Sequence, residues 1–222
     1  MSNGSISTQP VAGALTARGA RTRASVKRAA RVLFEDQGFL ETTVNQIARQ
    51  AEVAHGTFYT YFDSKEQIFA EVVGDLWTEF NMVSARQPVV SGDLSERIER
   101  ANRGYIMAYI EHARIMAAVE QAATFNVRLA EIRRSARNAW IERSSLALGR
   151  WQQRGLVSPY LDPRLTAEIL GSMVDRSAYV WIVLGDPGTI EPLLEPRVRE
   201  ISRVYCNAIG VPYHRDDPSA AS

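Results

Sequence analysis

Two helix-start signals bracket one short aromatic segment, and together they constrain the fold more than any other feature of the chain. Thr43-Val44-Asn45-Gln46 and Ser64-Lys65-Glu66-Gln67 both read as capping boxes. In such a box a hydroxyl and a glutamine side chain satisfy the free amides at a helix start. Between them lies VAHGTFYTYF (53–62), with one Gly, two Thr and four aromatic residues. Thr, Tyr and Phe are middling helix formers and Gly is a poor one, so packing rather than propensity must hold this segment. It has room for a tight turn and a third, shorter helix.

The surrounding pattern is helical throughout, and no period-two stretch bounded by hairpin turns predicts a strand. Val26, Ala29, Ala30, Leu33 and Phe34 follow the spacing of one buried helix face, and Gly38 supplies the left-handed residue that ends it. Val44, Ile47, Ala48 and Ala51 form the stripe of a short second helix. The second box opens a long fourth helix through Ile68, Phe69, Val72, Val73, Leu76, Trp77 and Phe80. ARQPVVSGD (85–93) is the first clear break, with Pro88 and Gly92. Further helices are predicted from Leu94, around Met116–Ala123, from Val127 to Arg154, from Asp162-Pro163 to Gly185, and after the prolines at 192 and 196 as far as Gly210. The expectation is an all-α fold of about nine helices. Its divisions are a loose basic tail (1–20), an N-terminal unit (21–85), a larger helical unit (86–211) and a loose end (212–222).

At about 100° per residue, Phe58 and Phe62 point together with Tyr61 on their flank, suited to packing on Leu33, Phe34 and Ile47. His55, Gly56, Tyr59 and Thr60 point the other way, with Thr57 at the edge. A small helix buried on all sides would also suit these residues. A short helix, a tight turn and a second short helix with one polar face equally has the layout of a helix-turn-helix, whose second helix enters the DNA major groove.

TTVNQIARQAEVAHGTFYTYFDSKEQIF (42–69) resembles the DNA-binding signature of the tetracycline-repressor (TetR) family. The match includes the TT, the IA, the GT-aromatic-Y, the YF and the SKE. With the first helix from about Arg21 it covers some 50 residues. The resemblance implies that Thr43 caps the second helix and donates to a phosphate, and that Asn45 reaches a phosphate or a base edge. His55, Gly56 and Thr57 would lead the recognition helix, Tyr59 and Tyr61 would bond phosphates, and Lys65 would meet the backbone as a charge at a helix start. Arg18, Arg21 and Arg23 would follow the backbone or reach a minor groove. Glu52 and Ala54 depart from the family pattern, which usually has Gly in the turn and Ser as the cap of the third helix. A non-Gly residue at positive φ costs on the order of 1 kcal/mol, and a lost cap about as much.

Residues 94–210 carry aromatic and Met residues at helical spacing, which serve either as core or as the lining of an effector cavity. The cavity candidates are Tyr105, Tyr109, Met116, Phe125, Trp140, Met173 and Trp181, with Glu120, Gln121, Asn126 and Asn138 as polar groups to orient a lipophilic ligand. The Asp162–Gly185 helix is apolar over more than one face, and Gly171 and Ser172 would let another helix approach closely. With the last helix it resembles the pair that forms the family's four-helix dimer interface, through Leu170, Val174, Ala178, Val198, Ile201 and Tyr205. Asp175 and Arg176 are candidates for an interfacial ion pair.

Composition narrows the function classes. Net charge is +1 overall, but residues 1–65 hold eight Lys or Arg against five Asp or Glu, a basic excess where a polyanion would be met. No apolar run is long enough to span a bilayer. The N-terminal stretch lacks the basic start and apolar core of a secretory signal, and a single cysteine, Cys206, fits a reducing cytoplasm. His55, His112 and His214 are scattered, and no metal, nucleophile-elbow or phosphate-loop motif is present, so no enzyme, metal or cofactor is expected. The expected function is a cytoplasmic, dimeric regulator, most often a repressor in this family, releasing a near-palindromic operator when an effector binds. The alternative is an architectural or constitutive DNA-binding protein whose C-terminal part only dimerises.

Overall fold

The computed structural model describes residues 16–85 and 93–213, and among them it contains nine α-helices, one short 3-10 turn and no strand. The expected all-α fold of about nine helices is what these residues adopt. The expected break at Pro88 and Gly92, the first fifteen residues and the tail after Tyr213 lie outside the described residues.

Helix α1 (Ala17–Glu41) begins before Arg21, because the Thr16 hydroxyl accepts from the Gly19 amide at 3.1 Å. Arg18 is therefore helical rather than part of a loose tail. Gly38, at φ 81°, interrupts α1 near its end, where the chain turns toward α2 (Val44–Gln50) and α3 (His55–Tyr61). The long α4 (Lys65–Ala85) follows, then α5 (Leu94–Glu111), α6 (Ala113–Phe125) and α7 (Val127–Gln153). Helix α8 (Pro163–Ile182) starts on the Asp162 carboxylate, which accepts from the Leu165 amide at 2.7 Å, and it stops three residues before Gly185. A 3-10 turn at Pro187–Thr189 leads into α9 (Ile190–Ala208). The prolines at 192 and 196, which the sequence suggests precede that helix, both lie within it. The former sits in the first turn, where its missing N–H costs nothing.

The buried apolar residues form one continuous cluster. At the N-terminal end, Phe34, Phe39 and Phe69 meet with ring centroids 4.8 Å apart for the two pairs involving Phe69, and Phe58 lies 5.7 Å from Phe62. Both Phe58 and Phe62 are buried, which explains how weak helix formers are kept helical. Three ion pairs tie α1 to α4: Arg23 to Glu71 at 2.5 Å, Lys27 to Asp75 at 2.7 Å and Arg31 to Glu79 at 2.8 Å. Each pair advances by four residues on both helices, so α1 and α4 run parallel. Helix α6 also packs on α1, and α5 lies between α4 and the α8–α9 pair.

Candidate nucleic-acid interface and effector cavity

The helix-turn-helix is assembled by local polar chemistry. The Thr43 hydroxyl accepts from the Gln46 amide at 3.3 Å, and the Gln46 carbonyl oxygen accepts from the Thr43 amide at 2.7 Å, completing the first box. Thr43 also donates its hydroxyl to that Gln46 oxygen at 2.8 Å, so a phosphate would have to compete for this proton. The second box is offset by one residue. Ser64 accepts from the Gln67 amide at 3.2 Å, while the Gln67 side chain accepts from the Asp63 amide instead of the Ser64 amide. In the turn, Glu52 adopts φ 55°, the left-handed conformation for which glycine is usual. Ala54 starts α3 with no side-chain cap, as a methyl group must.

Helix α3 presents the face that the sequence implies. His55, Gly56, Tyr59 and Thr60 are exposed, Thr57 is half-buried at the edge, and Tyr61 is half-buried on the Phe58–Phe62 flank. A side chain added at Gly56 would meet nothing within 4 Å, so its surface is open to close approach. The His55 and Tyr59 rings stand edge to face, 5.2 Å apart. Asn45, Arg18 and Arg21 are exposed, and among the described residues neither arginine makes an ion pair.

Two cations expected at DNA are engaged within the protein. Arg23 holds Glu71 through two contacts of 2.5 and 2.7 Å and lies 4.6 Å from the centre of the Phe62 ring. Lys65 donates to the carbonyls of Phe39 and Thr42 at 2.8 Å and of Leu40 at 3.3 Å, and sits 4.4 Å from the centre of the Phe39 ring. Burial holds its ammonium below the usual lysine range. All three donors of this ammonium have acceptors at the end of α1. The side chain thereby locks the start of α4 to the segment entering α2.

Of the expected polar ligand groups, Gln121 instead accepts from the Phe39 amide at 3.0 Å, Asn126 caps α7 by accepting from the Leu129 amide at 3.2 Å, and Asn138 is exposed. Each serves a free backbone amide or faces water, fates that periodicity cannot separate from a ligand contact.

Helices α4, α5, α7 and α8 enclose a cavity of about 800 Å³, with Tyr205 of α9 at its wall. Tyr105 and Trp140 line it, as expected. Tyr109 and Met116 are fully buried core, Phe125 is exposed, and Trp181 lies under Arg197, 5.2 Å from ring centre to guanidinium. Those two core residues are indistinguishable from lining ones in sequence, because both sit on the inward face of a helix. Glu120 and Met173 do not line the cavity, although Glu120 holds Arg133, which does. Arg133 also donates to Asp175 at 3.2 Å, and Tyr105 donates its hydroxyl to the same carboxylate at 2.7 Å. Asp175 is thus turned inward instead of pairing with Arg176, which lies over Tyr179. Burial, with Asp175 nearby, raises the Tyr105 hydroxyl well above the usual tyrosine range, keeping it a neutral donor.

The six residues expected at a dimer interface are all buried by their own chain: Leu170, Val174, Ala178, Val198, Ile201 and Tyr205. The apolar stripe that the sequence marks on each helix exists, but it faces the chain's own core. Beyond that stripe, α8 carries the further apolar residues that make it apolar over more than one face: Leu165, Ile169 and Val180 are exposed, as are Leu193 and Val204 of α9. Gly171 does permit a close approach, and it is Trp140 of α7 that makes it. Cys206 is buried, and burial pushes its thiol up to about 11, far from a nucleophile.

A short polar-faced helix held out by an aromatic core, on a helical body enclosing a cavity, defines a helix-turn-helix protein. The model of the tetR family of bacterial regulatory proteins matches residues 28–72 of this chain. An uncharacterised HTH-type transcriptional regulator of Bacillus subtilis (strain 168) is 30% identical over 88 residues, 38% of this chain and 45% of the relative. The A-factor receptor protein of Streptomyces griseus is 26% identical over 155 residues, 69% of this chain and 52% of the relative. The chain thus spans about half the length of these curated relatives. The solved structure of the flavonoid-responsive regulator FrrA is 25% identical with a TM-score of 0.64, covering 85% of this chain and 97% of that one. The family consists of DNA-binding regulators rather than enzymes. Among the described residues, no cluster of three His, Cys, Asp or Glu could hold a metal, and no helix is long and apolar enough to cross a membrane.

Proposed function

We propose that this protein is a ligand-responsive transcriptional regulator, a cytoplasmic homodimer that represses by occupying a near-palindromic operator and releases it when a small molecule with an apolar body fills the cavity. One observation carries the reading: α4 touches both ends of the problem. Its first residue, Lys65, fixes the segment entering α2, while its later turns supply Gly74, Trp77, Phe80 and Asn81 to the cavity wall. A ligand pressing on those later turns has a direct mechanical route to α3. The names of two relatives, a receptor for A-factor and a flavonoid-responsive regulator, support a small-molecule effector.

Base reading is assigned to His55, Gly56 and Thr57 at the start of α3, and backbone contact to Asn45, Tyr59, Tyr61, Arg18 and Arg21. Dimerisation is assigned to the outer faces of α8 and α9 through Leu165, Ile169, Val180, Leu193 and Val204. A two-fold pair of recognition helices then meets two half-sites about one DNA turn apart, or a multiple of it. The effector must bind the released conformation more tightly, by about 1.4 kcal/mol for each tenfold loss of operator affinity.

The test is selection of genomic DNA fragments by the purified protein at physiological salt. Enrichment of a few near-palindromic sites is the expected result. Equal retention of all fragments, vanishing as salt rises, would leave only phosphate binding and would overturn the operator reading.

A further inference from the structure

We infer that the cavity takes an organic anion, a carboxylate on an extended apolar body, and that Arg137 receives the carboxylate; this rests on the effector reading above and narrows it to one ligand class. The cavity is apolar along most of its walls, through Trp77, Phe80, Ile132, Trp140 and Trp151. Its α7 lining runs from Ile132 to Trp151, about 28 Å of helix at about 1.5 Å per residue, so the space is long rather than round.

The charges on this lining do not balance. Arg97, Arg133, Arg137 and Arg143 face Glu168 and Asp175. Arg133 is already held between Glu120 and Asp175, and Asp175 takes the Tyr105 proton as well. In that cluster the one guanidinium already faces two carboxylates, so its charge is countered within the protein. Arg137 is different. It is half-buried, and among the described residues its only hydrogen-bond acceptor is the Ser172 hydroxyl, on the facing helix. Four of the five guanidinium donors are left for water or a guest. Arg143 has a single weak contact at 3.4 Å to Asn81, also on the lining, and Arg97 lies near Trp151 without a carboxylate partner among the described residues.

A guanidinium fork matches a carboxylate in shape and charge, and the pairing strengthens as the site loses water. A neutral lipophile would dry the wall around Arg137 without giving those donors an acceptor, which is costly. A lipophilic cation would meet three arginines, Arg97, Arg137 and Arg143, that have no carboxylate partner among the described residues. Only an anion gains from both the walls and the charge. Ser172, bonded to Arg137 and donating to the Glu168 carbonyl, fixes the fork from α8.

The experiment is a titration of the full-length protein followed by tryptophan fluorescence, since Trp77, Trp140 and Trp151 all line the cavity. The probes are dodecanoate and 2-naphthylacetate, each against its methyl ester. At least one acid is expected to bind about tenfold or more tightly than its ester, the scale of one charge-assisted pair. In Arg137→Gln that preference should vanish while ester binding persists; in Arg143→Gln, at the exposed rim, the acid should weaken by a smaller factor. Arg143→Gln keeps the test decisive should Arg137→Gln fail to fold. Esters binding as well as acids, or an unchanged preference in both variants, would overturn the anion proposal while leaving an effector cavity in place. If no probe binds and none releases operator DNA, both the anion and the effector reading fall.

Discussion

Gly171 offers a measurement of how tightly α7 and α8 are fitted beside the cavity. A Cβ at this position would lie 2.0 Å from Trp140 Cζ3 and 2.5 Å from Cη2. Carbon atoms settle about 3.5–4.0 Å apart, so the indole would have to retreat by well over 1 Å. Two effects then compete in Gly171→Ala. Alanine in a helix interior is worth about 1 kcal/mol over glycine. Overpacking a fitted site costs about 1–3 kcal/mol. In the native background the sum is a loss of up to about 2 kcal/mol. With Trp140→Ala already made, the obstacle is gone and the same substitution should stabilise by about 1 kcal/mol. The change of sign is the diagnostic, and the double-mutant cycle should return a coupling of about 1–3 kcal/mol. Urea unfolding of the four proteins by far-UV circular dichroism reads it without relying on the tryptophan being removed. Additivity within about 0.5 kcal/mol would refute the fit of Trp140 onto Gly171.

Lys65→Met should destabilise the fold by about 1–3 kcal/mol by leaving the carbonyls of Phe39 and Thr42 without their donor. Urea unfolding checks this, and an unchanged midpoint would show that the ammonium is free for phosphate. His112 is buried, and burial holds it below the usual histidine value, with Glu111, Glu79, Arg31 and Glu35 around it. Its stabilising contribution is complete above the unfolded value of about 6.5, and it is lost as the pH falls toward the lower folded value while only the unfolded chain takes the proton. Between pH 7 and 5.5 the urea midpoint should therefore fall more steeply in the native protein than in His112→Gln; parallel profiles would contradict this. At the DNA face, Tyr59→Phe should weaken all operator variants alike by about 1 kcal/mol, whereas His55→Ala should change which variant is preferred. Competition binding on a set of half-site variants separates the two, and identical patterns would dissolve the division between reading and positioning.

Local signals carry most of the fold in the sequence. Both capping boxes, the buried Phe58–Phe62 pair, the Asp162-Pro163 start and the strained Glu52 turn depend on residues within a few positions of each other, and such chemistry survives in a linear text. What the sequence hides depends on distance. The family resemblance puts Lys65 and Arg23 at DNA, and nothing nearby in the chain reveals their partners, Phe39 and Glu71, on other helices. The stripes of α8 and α9 are visible, but an inward stripe and a partner-facing stripe have the same period. The α1–α4 ion pairs are legible in principle: Arg23, Lys27 and Arg31 repeat every four residues, as do Glu71, Asp75 and Glu79. Matching one such series against the other aligns the two helices from the order of residues alone.

That matched repeat sets how α4 can travel along α1. A displacement by one tooth, about 6 Å at about 1.5 Å per residue, would engage Lys27 with Glu71 and Arg31 with Asp75 and leave one charge unmatched at each end. A displacement of half that distance would disengage all three at once. Ion pairs this exposed are worth only a few tenths to about 1 kcal/mol each, so the rack is a detent and not a lock. Between teeth, α4 has no comfortable resting place on α1. Under the proposed effector response, a small force arriving from the cavity side would therefore swing the two helices together as one lever, with α3 on its short arm.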